Sequence, residues 1–271
     1  MVAKVSAIVL AGGEVGGSLA TVTSERYEAL IRIGSQPMVS YVISALRSTE
    51  RVGRIIVVGP RELAGALSAE ECEFVESSSS MVENLVRALS VLDTAEKVLV
   101  VTGDVPLVTG AVIERFLEQT ESLEADIYYP IVTKESNEAL FPSMRRTYVR
   151  LREGVFTGGN VVLLDPACVL KCRNTIEQAV AMRKNPWQLA RLLGFRFIIK
   201  LLLNRLHLAE IEQRVELILG FKGKGIISTS PEIGIDVDKA SDLQLVRSVL
   251  AGEYSALQNV KNENAPGTID A

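Results

Sequence analysis

Short apolar runs alternate with amphipathic segments along the first half of the chain. The runs Val5–Leu10, Ile55–Val58 and Val98–Val101 are continuously apolar, as is typical of strands buried on both faces of a parallel sheet. Met81–Leu92 repeats its apolar residues at helical spacing. Strands that alternate with helices predict βαβ units and a three-layer α/β fold with a mainly parallel sheet. The other elements predicted here are the strands Glu73–Val75 and Asp126–Tyr129 and the helices Met38–Ser48, Glu62–Leu67 and Ala111–Gln119.

The pattern changes after Pro130. Residues 144–152 alternate, which predicts a half-exposed strand, and a second strand is predicted at Val161–Leu164. Alternate residues of the first strand share one face, and this face is basic. It carries Arg146, Tyr148, Arg150 and Arg152.

The rest of the chain predicts a helical insertion and a return to the main domain. Residues 166–219 are almost wholly helical in pattern, Thr229–Asp238 is extended, and Ala240–Leu250 predicts a closing helix. We therefore expect one domain over residues 1–251 and a flexible tail over 252–271.

Composition narrows the class of protein. The 271 residues are 48% hydrophobic, enough for a large core, and the net charge of -4 gives no reason to expect nucleic acid as a partner. No run is long and apolar enough to span a bilayer, and the N-terminal run makes a poor signal peptide. We expect a cytoplasmic protein. Its three cysteines, Cys72, Cys168 and Cys172, fit a reducing compartment and favour buried free thiols over a metal site.

The first strand ends at the turn Leu10-Ala11-Gly12-Gly13. Ligands bind at the carboxyl ends of strands in open α/β sheets, and two glycines let backbone N–H groups approach a phosphate or a base. The strand Val98–Val101 likewise ends in Gly103-Asp104, which places a carboxylate at the same edge of the sheet. Asp104 could ligate a divalent cation or cap the following helix.

Two further features carry candidate chemistry. Asp236 and Asp238 share a face by their spacing, and with Asp104 they form the carboxylate set that Mg²⁺ or Mn²⁺ prefers, although Asp238 could simply cap the last helix. Residues 156–160 end in Gly158-Gly159-Asn160, which predicts either a plain hairpin or a backbone approach to an acceptor. The neighbouring arginines are either a solvated face or a phosphate-binding face.

The apolar and basic segment 195–206 has three interpretations. We favour a buried helix, with a membrane-surface helix or a homodimer interface as alternatives.

Four motifs in order carry a resemblance to a known superfamily: Leu10-Ala11-Gly12-Gly13, Gly103-Asp104-Val105-Pro106, Gly158-Gly159-Asn160 and Asp236-Val237-Asp238. Over residues 5–165 and 225–250 the chain resembles the nucleotidyltransferases with a glycosyltransferase-A-like fold. It is most similar to the NTP-transferase domain of the molybdenum-cofactor guanylyltransferase type.

The resemblance implies a reaction in which an acceptor phosphate attacks the α-phosphate of an NTP and pyrophosphate leaves. It implies that Asp104 and Asp238 hold Mg²⁺ (or Mn²⁺), with Asp236 as a further ligand. The residues that it assigns to nucleotide or acceptor binding are Leu10, Ala11, Gly12, Gly13, Ser80, Asn84, Gly103, Gly159 and Asn160.

One position departs from the family pattern. Glu28 stands where the family has a lysine, and Glu14 follows the glycine turn, so positive charge for the triphosphate is missing. Either Arg26, the local candidate, replaces it as a catalytic residue, or a distant basic residue does (Lys222, Lys224 or the Arg146–Arg152 face), or the enzyme is impaired.

We therefore expect a Mg²⁺-dependent nucleotidyltransferase that acts on an NTP and a small phosphorylated acceptor. Two alternatives stay open: a catalytically impaired nucleotide or sugar-nucleotide binding protein, and a metal-dependent glycosyltransferase.

Overall fold

The apolar runs of the chain form the strands of one nine-stranded sheet. The computed structural model describes residues 4–68, 70–78, 80–182 and 194–254. The sheet contains β1 (Val5–Leu10), β4 (Val52–Gly59), β5 (Glu73–Glu76), β6 (Val98–Thr102), β7 (Ile127–Thr133), β8 (Val149–Leu151), β9 (Gly154–Gly158), β10 (Val161–Leu164) and β11 (Gly223–Ser228). A separate small ribbon pairs β2 (Arg32–Ile33) with β3 (Gln36–Pro37).

Helices follow most strands in the described residues. They are α1 (Met38–Arg47), α2 (Arg61–Ala64), α3 (Met81–Leu92), α4 (Gly110–Thr120), α5 (Lys134–Leu140), α6 (Pro166–Met182), α7 (Phe195–Leu202), α8 (Leu208–Leu219) and α9 (Ala240–Leu250). None of the helices in the described ranges is long and apolar enough to cross a membrane.

The sheet runs in the order β5-β4-β1-β6-β10-β7-β9-β8, and β11 pairs with β7 in parallel. β5, β4, β1 and β6 are parallel neighbours, whereas β9 and β10 run in the opposite direction to the rest. The predicted α/β fold with a mainly parallel sheet is thus confirmed.

Helices cover both faces of the sheet, which gives the three predicted layers. Ala7 and Val9 of β1 pack on one face with the apolar stripes of α1 and α4, and Ile8 packs on the other face with α3. Because β1 and β6 are buried on both sides, their sequences are continuous apolar runs.

The structure corrects three local predictions. Residues 158–160 do not form a hairpin. β9 and β10 run in the same direction, both antiparallel to β7, and residues 159–160 form a short break between them. Residues 229–238 are not a strand, since β11 lies earlier and a 3₁₀ turn occupies Pro231–Gly234. The predicted strand over 144–152 is limited to β8.

The helical insertion shows a mixed surface. Phe197 and Leu201 of α7 pack on a small core with Leu151, Phe156 and Leu206, whereas Leu202 and Leu203 are exposed. The segment is thus only partly buried, unlike the buried helix that was predicted, and its outer side is apolar. Part of the predicted helical insertion, residues 183–193, lies outside the described residues. So does most of the predicted flexible tail, from residue 255 onward.

Candidate active site

The glycine turn after β1 lies directly against the end of β6. The Gly103 N–H donates to the Leu10 carbonyl at 2.9 Å, and the Ala11 N–H donates to the Val58 carbonyl at 2.7 Å. A Cβ on Gly103 would lie 3.0 Å from the Ala11 Cβ and 3.2 Å from its Cα. A side chain at position 103 would crowd Ala11, so glycine suits this close approach, which places Asp104 beside the turn.

A cleft of about 610 Å³ opens at this edge of the sheet. Most of the predicted nucleotide-binding residues line it, as does the predicted carboxylate set. The described residues around it are Leu10, Ala11, Gly12, Gly13, Glu14, Glu28, Ala29, Ser78, Met81, Asn84, Thr102, Gly103, Asp104, Asn160, Asp236 and Asp238.

Three carboxylates converge in the cleft. Asp104, Asp236 and Asp238 each place one oxygen within 4.8 Å of the other two. The loop that carries Asp236 and Asp238 is held by its own backbone, because the Val237 N–H donates to the Asp104 carbonyl at 3.0 Å. Val237 itself is fully buried, so the two aspartates on either side of it are directed toward the cleft.

Mutual repulsion and burial disfavour the charged forms of these groups. Burial is the main cause that raises the pKa of Asp104 to about 6, and the charges of Asp236 and Asp238 act in the same direction. Burial and then Asp236 raise the pKa of Asp238. Carboxylates held together at such a cost are typical of a functional site.

Asp236 differs from the other two because it already has a cationic partner. The Arg146 guanidinium is bonded to the Asp236 carboxylate, and both side chains are largely buried. Arg146 is thus the one member of the predicted basic face whose guanidinium is seen to reach the cleft's carboxylates. Tyr148 instead accepts a hydrogen bond from the Asn137 side chain on α5, and Arg150 and Arg152 are exposed.

Glu28 lies against the glycine turn. Its N–H donates to the Gly13 carbonyl at 3.0 Å, and its carboxylate lies so close that a Cβ on Gly13 would come within 2.4 Å of Oε2. Burial, followed by the charges of Asp104, Asp238 and Asp236, raises the pKa of Glu28 to about 7. The position where the resemblance implies a lysine is therefore occupied by a fourth carboxyl group in the same cleft.

Arg26 does not line the cleft. Its side chain is 70% exposed, pairs with Glu14 at 3.0 Å and lies over the Tyr27 ring. The loop between them is closed at its base, where the Val15 N–H donates to the Arg26 carbonyl. Arg26 is held at the rim of the cleft through Glu14.

The start of α3 forms another wall. Ser80 caps this helix by accepting the Glu83 N–H, and it does not line the cleft. Asn84 lines the cleft, and its side-chain oxygen accepts the Ser78 N–H. Ser78 and Met81 also border the cleft. They belong to the segment Ser78–Asn84, which the resemblance assigns to base recognition, but neither was named individually because neither residue type carries a distinctive chemical signal.

The interruption between β9 and β10 places Asn160 in the cleft. The Asn160 N–H donates to the Ile233 carbonyl, and its carbonyl accepts the Thr102 N–H. Gly159 lies behind it rather than in the cleft, where a Cβ would come within 2.9 Å of the Pro130 ring. The Asn160 Nδ2 is buried and has no hydrogen-bond partner among the described residues.

The residues present suit a hard divalent cation. Asp104 Oδ1 is buried without a hydrogen-bond partner in the described part of the chain, and all donors of the cluster are carboxylate oxygens. A buried acceptor without a donor is costly, and an oxygen-only set is what Mg²⁺ and Mn²⁺ prefer. The site therefore fits such an ion.

Comparison with known proteins agrees with this geometry. The family model for the MobA-like NTP transferase domain matches residues 7–184. A hypothetical transferase from Thermus thermophilus is 40% identical, with a TM-score of 0.79 over 89% of this chain and 99% of that one. Among curated protein sequences, none matches significantly.

More distant structures share the fold. A CMP:2-keto-3-deoxy-manno-octonic acid synthetase complexed with CTP is 15% identical, with a TM-score of 0.57 over 93% of this chain and 99% of that one. A nucleotidyl transferase from Methanothermobacter is 16% identical, with a TM-score of 0.57 over 92% and 98%. The matched model covers well over half of the chain, so this protein belongs to the family of MobA-like NTP transferase domains.

Proposed function

We propose that this protein is a Mg²⁺-dependent (or Mn²⁺-dependent) nucleotidyltransferase that joins an NTP to a small phosphorylated acceptor. The observation that supports this most is the convergence of Asp104, Asp236 and Asp238 beside a glycine turn at the carboxyl edge of the sheet. In the proposed reaction an acceptor phosphate oxygen attacks the α-phosphorus. The bond from that phosphorus to the bridging oxygen breaks, and pyrophosphate leaves with the electron pair.

Asp104 and Asp238 would hold the cation, and Asp236 would contribute less because Arg146 already binds it. A divalent cation bound there supplies positive charge to the reacting phosphates. The backbone of residues 10–13 provides the close approach for the nucleotide, since Gly12 and Gly13 have no side chain.

Asn160 would orient the acceptor. Its unpartnered Nδ2 is a buried donor in the same cleft as the carboxylates, so an acceptor oxygen would satisfy it. Arg146 would screen the acceptor phosphate from the carboxylates by neutralising Asp236.

A second candidate is a nucleotide-binding protein with little or no catalysis. Among the described residues that line the cleft, none is Lys or Arg, whereas Glu14 and Glu28 both line it. Without fixed positive charge, binding of a triphosphate depends on the cations that accompany it.

The two candidates are separated by binding and turnover measured together. A thermal-shift screen of the four NTPs with and without Mg²⁺ should show stabilisation only with the ion, by about 2.7 kcal/mol at 100 times Kd. Release of pyrophosphate with phosphorylated acceptors then shows catalysis. Asp104→Asn should abolish the Mg²⁺ effect, and Asp93→Asn, an equal charge change outside the cleft, should preserve it.

Each outcome distinguishes between the candidate functions. Mg²⁺-dependent binding without pyrophosphate release for any acceptor favours the binding protein. Transfer from a sugar nucleotide, without use of an NTP, favours a glycosyltransferase. A Mg²⁺ effect that survives Asp104→Asn contradicts the proposed cation site.

A further inference from the structure

A second cavity, of about 650 Å³, lies between the sheet and the helical insertion. Tyr129 and Ile131 of β7 and Phe156 of β9 form its sheet side, and α6 and α8 form the opposite wall. Its lining is almost wholly apolar. The volume falls within the range of pockets that hold small organic ligands.

The wall formed by α8 is only partly buried. Leu208, Ile211, Val215 and Leu219 repeat at helical spacing on the cavity side, yet none of the residues of α8 is buried. On the sheet side Tyr129 and Val149 are 40% and 44% exposed. Leu208 and Ile211 contact the small core of Leu151, Phe156 and Leu206, and the rest of this apolar surface faces the cavity.

The cavity offers no free charge from its described walls. Glu212 and Lys224 are its charged residues, and they pair with each other at 2.6 Å. The second Glu212 oxygen accepts the Gly225 N–H at 3.0 Å. A ligand of this cavity is therefore recognised by its hydrocarbon surface.

The cavity and the candidate active site are lined by neighbouring residues of two chain segments. On α3, Asn84 lines the cleft and the next residue, Leu85, lines the cavity. At the interruption of β9 and β10, Gly158 lines the cavity and Asn160 lines the cleft. Asn160 is also the residue that carries the unpartnered donor proposed above for the acceptor.

We propose that the cavity holds the apolar part of the acceptor, so that the acceptor is an amphiphile with a phosphate head and a hydrocarbon body. The inference rests on the proposed function, because it assigns the head to the cleft beside Asp104 and Asn160. The hydrocarbon body extends past Gly158 between β7 and α8.

Ethyl, hexyl and decyl phosphate test this proposal by calorimetric titration of the full chain below their micelle concentrations. Affinity should rise with chain length by about fourfold per CH₂, which is the ~0.8 kcal/mol of a buried methylene expressed as a binding ratio. With an NTP and Mg²⁺, decyl phosphate should yield its nucleotide adduct and pyrophosphate.

Three variants locate the binding site. Val215→Trp narrows the cavity and Val149→Glu adds a charge to its wall at a half-exposed position, so each should reduce affinity for decyl phosphate at least tenfold. Leu217→Trp is the matched control, because Leu217 lies on the same helix and is 77% exposed outside the cavity. It should leave the affinity unchanged.

The outcomes separate this inference from the proposed function. Equal affinity for the three phosphates, together with Mg²⁺-dependent NTP binding, overturns the amphiphilic acceptor and leaves the nucleotidyltransferase. Chain-length dependence that Leu217→Trp removes as strongly as Val215→Trp places the hydrocarbon elsewhere. Chain-length dependence without NTP binding refutes the proposed function and this acceptor role with it.

Discussion

Glu28 is the residue whose charge most directly opposes the proposed substrate. Its carboxylate lies against Gly13 in the cleft, at the position where the resemblance implies a lysine. Glu28→Lys replaces repulsion of a triphosphate by attraction. We expect NTP binding with Mg²⁺ to tighten about tenfold, because a charge reversal a few Å from a phosphate is worth ~1–3 kcal/mol at intermediate dielectric. Titration at low and high salt measures the effect.

Glu25→Lys is the control for net charge. Glu25 belongs to the same loop but does not line the cleft, so its reversal changes the overall charge equally. Salt should remove most of any effect at Glu25 and less of the effect at the half-buried Glu28. Equal tightening by both variants would mean that the long-range field, and not the site, governs NTP affinity.

The three aspartates should differ in their effects on cation affinity. Asp236 is neutralised by Arg146, whereas Asp104 has an oxygen without a partner. We expect Asp104→Asn and Asp238→Asn to weaken Mn²⁺ binding more than tenfold and Asp236→Asn to weaken it less. Titration of Mn²⁺ by paramagnetic relaxation measures all three, and an equal loss in each would show that Arg146 leaves Asp236 when the ion binds.

At the scale of elements, the site depends on how closely β1 and β6 approach at their ends. Gly103→Ala would place a Cβ 3.0 Å from Ala11 Cβ and 3.2 Å from Ala11 Cα, so the two strand ends must separate. We expect a loss of about 1–3 kcal/mol in the free energy of unfolding, as for other overpacked positions. NTP binding should fall as well, because Asp104 moves with the end of β6.

Gly65→Ala is the matched control, because a Cβ there meets no atom within 4 Å and the backbone is already right-handed. It should be neutral or stabilising by ~0.4–1 kcal/mol through the unfolded state. Urea unfolding of both variants makes the comparison. A Gly103→Ala protein as stable as Gly65→Ala would show that the two strands have room to separate.

Elements with strong local signals were predicted almost to the residue. The bounds of β1, α3 and α9 agree with their sequence patterns. In α3 the reason is local: Ser80 caps the first turn, and a single apolar stripe runs to Leu92.

Elements fixed by distant partners were not predicted. Residues 158–160 have the composition of a turn. The chain nevertheless continues in the same direction there, because β9 before them and β10 after them both pair with β7. This pairing depends on residues far away in the sequence. The alternation of residues 229–238 resembles a strand, whereas β7 pairs with the glycine-rich β11 instead.

The site was predictable in its types of residue and not in its pairings. Glycine turns and carboxylates at strand ends carry a local signal, so Asp104, Asp236 and Asp238 were expected near one another. The ion pair of Arg146 with Asp236, 90 residues away, and the apolar cavity beneath α8 arise from tertiary packing alone.

At neutral pH the carboxyl groups of Glu28, Asp104, Asp236 and Asp238 lie together in one cleft. The pKa of Glu28 is raised to about 7 and that of Asp104 to about 6, above their unfolded values near 4. The folded protein therefore keeps these protons to higher pH than the unfolded chain does. The resulting stability is fully present below pH 4 and is lost as pH rises through 6–7.

We therefore expect the metal-free protein to lose stability between pH 5 and pH 8. Glu28→Gln should remove part of this loss, about 1 kcal/mol after allowance for the half-exposed side chain. Urea unfolding in EDTA at pH 5, 6, 7 and 8 measures how steeply stability falls with pH.

Mg²⁺ should restore stability at pH 8 and do little at pH 5, because the ion binds the ionised carboxylates of the folded state. Identical slopes in wild type and Glu28→Gln would show that Glu28 is ionised throughout, which solvent screening in an open cleft would produce. The Mg²⁺ effect at pH 8 should still vanish in Asp104→Asn, since it depends on the ligands rather than on Glu28.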